Sequence, residues 1–135
     1  MRALAATVLG LALAAGGAQA QESFIDQMRM SNAGLASQQV ADAVAYINGT
    51  GDFPRDGRKG CALARKAARQ RADAERIVGD CYHYGLGGEQ SDDKAIAAYE
   101  RAYDRGDQAA ACPLSQLLTA TRRDMARAAA LCPRP

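Results

Sequence analysis

The stretch CYHYGLGGEQSDDKA, from Cys81 to Ala95, gathers the residues of this 135-residue chain best suited to chemistry. Cys81 lies two positions before His83, the chain's single histidine, and a thiolate and an imidazole are both metal ligands. Gly85-Leu86-Gly87-Gly88 is a glycine run of the kind that offers backbone amides to an anion. Ser91-Asp92-Asp93-Lys94 spells S-x-x-K, the acylating motif of serine β-lactamases. Each reading lacks its companions. Residues two apart on a helix face different directions, and no second histidine exists to complete a metal set. No Lys-Ser/Thr follows the glycines, and the acids that do follow repel phosphate. The S-D-N and K-T-G elements that accompany the β-lactamase motif are missing. The expectation is therefore no catalytic residue, no metal and no cofactor, with Ser91 or Asp92 capping a helix. Asn48-Gly49-Thr50 has the spelling of a glycosylation sequon but reads as loop.

The start of the chain sets its compartment. Arg2, an apolar run from Leu4 to Ala15 and the small-residue motif Ala18-Gln19-Ala20 follow in the order of a secretory signal peptide. The apolar run is shorter than the roughly 20 residues that span a bilayer. Residues 1–20 are expected to be cleaved, leaving a soluble, exported chain from Gln21 that is periplasmic or secreted. No membrane span is expected. Removing Arg2 from 17 basic residues leaves 16 against 15 acidic ones, a net charge of +1. That balance excludes a nucleic-acid footprint, which needs a clear basic excess. Tryptophan is absent and aromatics are 5% of residues, so the core must come from closely packed small side chains. All four cysteines follow the leader, and an even count in a small exported domain implies disulfides.

The elements that would position these residues form a repeat. Tyr46, Gly49, Gly51 and Asp56 recur 36 residues later as Tyr82, Gly85, Gly87 and Asp92, while Lys59 and Ala67 recur 35 later as Lys94 and Ala102. Such a period points to a solenoid of one supersecondary unit. Ala74, Ile77, Val78, Cys81 and Tyr82 have helical spacing, as do Ala95, Ala98, Tyr99, Ala102 and Tyr103. Gly85 and Gly87 break the first of these helices and Gly106 ends the second. The tyrosines are expected to fill gaps while keeping their hydroxyls wet. The arginines Arg65, Arg69, Arg76, Arg101, Arg105, Arg122, Arg123 and Arg127 mix with acids and read as a solvated face with local ion pairs, a minority free to line a partner groove.

Residues 74–110 resemble a Sel-one-like repeat, a relative of the tetratricopeptide repeat. Ala74, Val78, Gly79, Tyr82, Gly85 and Gly87 fit the first half of that family's pattern. Lys94, Ala95, Tyr99, Ala102, Gly106 and Ala110 fit the second. Residues 45–75 resemble the preceding repeat, with Gly60 in place of an alanine and Arg71 in place of the closing glycine. A degenerate third unit begins near Gln108, as a capping repeat does. The resemblance implies an all-α fold: a short right-handed α-solenoid of about three helical hairpins, stapled by disulfides. Its repeats span about 37–72, 73–107 and 108–135, after an N-terminal segment, 21–36, with a helix around Phe24–Met30. Four cysteines allow three connectivities. The repeat register puts Cys61 opposite Cys81 and Cys112 opposite Cys132, each pair straddling a turn between adjacent helices. The resemblance further implies a scaffold that binds an unidentified protein or peptide in the cell envelope. The family's cysteine-rich secreted branch, which places its cysteines differently, is associated with weak penicillin binding and β-lactamase activity. A β-lactamase-like enzyme is thus one alternative and a secreted effector is another.

Overall fold

A computed structural model describes residues 9–132. Residues 1–8 of the expected leader and 133–135 of the expected third repeat lie outside the described residues. Among those described there are six α-helices, a short 3-10 segment and no strand. The chain divides into two units, one ending at Gly34 and one beginning at Leu35.

The first helix, α1, is Leu9–Asn48. In the first unit it contains both the expected cleavage motif and Phe24–Met30, so residues 24–30 do not form a helix of their own. Phe24, Ile25, Met28 and Met30 are exposed there, and Arg29 pairs with Asp26 at 3.4 Å.

In the second unit the chain runs through the end of α1, then α2 (Gly57–Ala67), α3 (Ala72–His83), α4 (Asp92–Asp104), a 3-10 segment (Gln108–Ala110), α5 (Ala111–Ala120) and α6 (Met125–Leu131). This is a solenoid-like stack of three hairpins: α1 with α2, α3 with α4, α5 with α6. Side-chain caps start the second helix of each. Asp56 accepts from the Lys59 amide, Ser91 from the Lys94 amide and Asp124 from the Arg127 amide, relieving amides that a helix start leaves unpaired. The caps correct the repeat register. Asp56 corresponds to Ser91, 35 residues on, and not to Asp92. The backbone agrees, since the amides of Asp56 and Ser91 donate to the carbonyls of Tyr46 and Tyr82. The extra residue in the first repeat therefore lies between Tyr46 and Asp56.

The glycine loops follow only part of the pattern. Gly49 and Gly85 have φ of +69° and +66°, which glycine adopts without strain after a helix end. Gly51 shares that hand at +64°, but its counterpart Gly87 does not, and Gly88 takes the positive φ instead. Gly87 lies in the turn that follows α3, but its glycine answers to a close approach and not to a positive φ: a Cβ there would sit 3.3 Å from the Cβ of Cys61, so its smallness lets the loop lie against that cysteine.

Alanine dominates the interior. Ala36, Ala43, Ala64, Ala67, Ala74, Ala98 and Val78 pack with Cys61 and Cys81 in one cluster. Ala95, Tyr99, Ala102, Ala110, Leu114, Leu117 and Ala128 form another. Tyr82 packs against both. Small side chains allow close helix approach, and two glycines take this furthest. A Cβ at Gly60 would come within 2.7 Å of the Ala43 carbonyl oxygen and Ile47 Cγ1. One at Gly79 would come within 2.5 Å of the Tyr99 ring. Gly60 therefore replaces the family alanine because α2 crosses α1 too closely for a methyl group.

The cysteines staple this stack. Cys61 and Cys81 form a disulfide joining α2 to α3, with Cα atoms 6.0 Å apart and both residues buried. Cys112 and Cys132 join α5 to the end of α6, Cα atoms 4.9 Å apart, nearer the surface. The first links the two glycine-loop repeats and the second closes the last hairpin.

Candidate binding groove

The two glycine-loop hairpins carry the same pair of residues at their connected ends. Lys59 Nζ lies 4.3 Å from the centroid of the Tyr46 ring, and Lys94 Nζ lies 5.5 Å from that of Tyr82. Each lysine, one turn into the second helix, thus covers the tyrosine near the end of the first with a cation–π contact. Lys94 also donates to Glu89 at 2.6 Å, which holds its pKa above the ordinary lysine value.

These contacts disperse the chemistry suggested by Cys81 to Ala95. Cys81 is bonded to Cys61. Ser91 Oγ accepts the Lys94 amide while the Lys94 ammonium is turned to Glu89 and Tyr82. His83 Nδ1 lies 3.4 Å from Asp92 and its ring packs edge-on against Tyr84, tying the end of α3 to the start of α4. No group of three or more metal-ligating side chains occurs among the described residues.

The arginines split into two sets. Arg71, which stands where the repeat's closing glycine is expected, donates twice to Asp73 and once to Ser37 on α1. That fork holds the Asp73 carboxyl below its ordinary pKa. Arg76 contacts Asp107 at 2.9 Å and Asp80 at 3.8 Å. Arg101 and Arg105 reach Glu75, Arg127 reaches Glu100 and Arg123 reaches Asp93. Most of these pairs cross between helices. Arg55, Arg58, Arg65, Arg69 and Arg122 form no ion pair among the described residues.

A groove of about 590 Å³ lies between the end of α1 and α3. Val40, Val44 and Ile47 form one wall and Ile77, with Leu86 from the glycine loop, another; Tyr84 stands at the edge. Val44 is 41% exposed and Tyr84 65% exposed, a large apolar surface for a chain with so few large side chains. Asp73, Arg76 and Asp80 supply the polar side. Asp80 is fixed by its neighbours. The Tyr99 hydroxyl donates to Asp80 Oδ1 at 2.7 Å. Tyr99 itself is fully buried, which corrects the expectation that the repeat tyrosines keep wet hydroxyls. Burial raises the Asp80 carboxyl above its ordinary pKa, opposed by the Tyr99 hydrogen bond and the Arg76 charge. Burial, reinforced by Asp80, also pushes the Tyr99 phenol far up. The result is a groove with an aliphatic floor and a prepositioned carboxylate and guanidinium.

The signature residues build this groove without lining it. Gly79 admits the Tyr99 ring, Ala67 on α2 and Ala74 on α3 are buried in the core, and Gly85 turns the chain ahead of Leu86, which lines the groove. Sequence reasoning missed the lining residues. Their signal was Val40, Val44 and Ile47, spaced four and three beside buried Ala36 and Ala43, an apolar stripe wider than the core needs, with Val44 at its exposed border.

Residues 35–71 and 72–107, just over half of the chain, each match the family model of the Sel1 repeat, a repeat that generally mediates protein–protein interaction. No curated protein and no solved structure matches the chain.

Proposed function

The chain belongs to the Sel1 repeat family, and from that premise we propose that it is an exported binding module whose groove between α1 and α3 holds a segment of another protein. The observation that carries this reading is the groove itself. Its volume of about 590 Å³ falls in the range of specific ligand sites, and it combines aliphatic walls with a few fixed polar groups. The partner segment inserts one or two apolar side chains against Val40, Val44, Ile47 and Ile77. It presents hydrogen-bonding groups to Asp80 and Arg76, whose positions Tyr99 and Asp107 already fix. Pre-organisation of this kind lowers the ordering cost of association.

Export is supported by the leader-like start and the two disulfides, which persist in oxidising compartments. Among the described residues no helix is long and apolar enough to cross a membrane. The periplasm or the extracellular space is the proposed site of action.

The test is selection of displayed random peptides on the oxidised protein, followed by affinity measurement against Val44→Gln. A polar amide in the apolar wall is expected to weaken selected peptides by about tenfold, the effect of losing one buried aliphatic contact. Peptides that bind both proteins equally would place the binding surface elsewhere.

A further inference from the structure

Arg55 and Arg122 stand in loops, but most of the basic residues without ion-pair partners among the described residues gather on or just after one helix. Arg58, Arg65 and Lys66 lie on α2, and Arg69 lies in the turn just after it. Gly60, Cys61, Ala64 and Ala67 form the buried side of α2. At 3.6 residues per turn, Arg58, Arg65 and, with the turn continued past the helix end, Arg69 fall within about 40° of one another on an exposed side that borders Cys61, with Lys66 about 60° further round. All four are exposed. The helix contains no acidic residue. The stripe is about 16 Å long at 1.5 Å rise per residue, and Ala62 alone interrupts it on that face.

Internal structure does not account for this face. Cations near a helix C-terminus complement its dipole, which covers Arg65, Lys66 and Arg69. Arg58 stands in the first turn, where the dipole opposes a positive charge. Lys59 in the same turn is engaged by Tyr46, whereas Arg58 has no such return. The glycine loop runs beside two of the arginines but, lacking side chains there, offers them no carboxylate. A Cβ at Gly88 would sit 3.6 Å from Arg58 Nε, and one at Gly87 3.7 Å from Arg65 Nη1. Glu89 borders the cleft beside Arg65, but its carboxylate is held by Lys94. Arg71, Arg76, Arg101, Arg105, Arg123 and Arg127, by contrast, meet carboxylates of their own chain.

We propose that this face of α2 is a second docking surface and that its partner is an acidic polypeptide segment. Guanidinium groups recognise carboxylates in paired, directional hydrogen bonds, and three at fixed spacing select a segment with several acids in register. An anionic membrane surface is the poorer fit, because none of the exposed large apolar side chains lies on α2 to enter the interface. A net charge of +2 for the whole chain is too small for a nucleic-acid footprint. None of these four residues lines the groove between α1 and α3, so the surface is independent of the reading above.

The experiment uses the oxidised full chain and a fluorescein-labelled peptide carrying a run of glutamates, with its glutamine counterpart as control, in an anisotropy titration. The glutamate peptide is expected to saturate, to weaken as salt is raised, and to lose about tenfold in affinity for the triple variant R58Q/R65Q/R69Q. Thermal unfolding of that variant should stay within about 5 °C of wild type, since its side chains support no internal pair and the dipole gain of Arg65 and Arg69 is partly offset by the loss of Arg58 from the first turn. Val44→Gln should bind the glutamate peptide normally. The proposal is overturned if the triple variant binds as tightly as wild type, if the glutamine peptide binds equally well, or if Val44→Gln abolishes binding. Cosedimentation with phosphatidylglycerol vesicles, without glutamate-peptide binding, would also overturn it in favour of a membrane surface.

Discussion

Replacing Gly79 by alanine tests the packing on which the groove depends. In an ordinary exposed helix, Gly→Ala stabilises by about 1 kcal/mol. Here the new Cβ would lie 2.5 Å from Tyr99 Cδ1 and Cε1 and 2.9 Å from Cζ. The ring has no easy retreat. It is fully buried, and its hydroxyl is tied to Asp80 at 2.7 Å. Overpacking of this type costs about 1–3 kcal/mol, and losing the Tyr99–Asp80 bond adds about 1 kcal/mol. Against the propensity gain, the expected net loss is about 1–3 kcal/mol. For a domain of this size each kcal/mol lowers Tm by about 4–8 °C, so a drop of roughly 5–20 °C should appear in circular dichroism melting. Gly34→Ala is the control: it lies inside α1 and its Cβ would meet nothing within 4 Å, so it should leave Tm unchanged or raised. A Gly79→Ala protein as stable as wild type would refute the claim that Gly79 exists to admit Tyr99.

Three further outcomes follow from particular contacts. Mild reductant should open Cys112–Cys132 before Cys61–Cys81, because Cys112 is exposed and the other pair is buried; differential alkylation with mass spectrometry reads the order, and loss of either bridge should cost roughly 3 kcal/mol for a loop of about 20 residues. The Asp80 carboxyl is raised in the folded state, so its folding contribution is most favourable at acid pH and declines as pH rises from the unfolded value through the folded one; Asp80→Asn should therefore remove that decline from the urea midpoint measured between pH 4 and 7, and an unchanged profile would count against burial as its cause. Arg122 has a φ of +53° in the turn between α5 and α6, so Arg122→Gly should stabilise by about 1 kcal/mol in urea unfolding, and destabilisation would mean that the side chain is needed.

Much of the scaffold is legible in the sequence because it is carried by local signals. Ser91 is a cap three residues before Lys94, Gly49 and Gly85 sit at helix ends, and Ala74, Ile77, Val78 and Cys81 trace one buried face. Register within a loop is less legible. Asp56 matches Asp92 by letter and Ser91 by role, because an aspartate and a serine cap alike. Gly87 is a turn residue, as it looks, but its lack of a side chain answers to Cys61, which lies 26 positions away in sequence. The groove was hidden for a different reason. Val40, Val44 and Ile47 spell an ordinary amphipathic helix, and only the placement of α3 shows which of its apolar residues remain uncovered. The Tyr99–Asp80 bond is equally non-local, and the exposure of one tyrosine and burial of another cannot be separated by spacing alone.

The central claim is that the groove between α1 and α3 is where a protein partner sits. The direct measurement is site-specific photocrosslinking in cells, with a photoreactive amino acid replacing Val44 or Tyr84 in the groove, and Ala126, an exposed residue of α6, as the reference. The account predicts a discrete adduct of the same mass from positions 44 and 84 and none from 126. A diffuse smear alike from all three positions, or an adduct confined to 126, would contradict it.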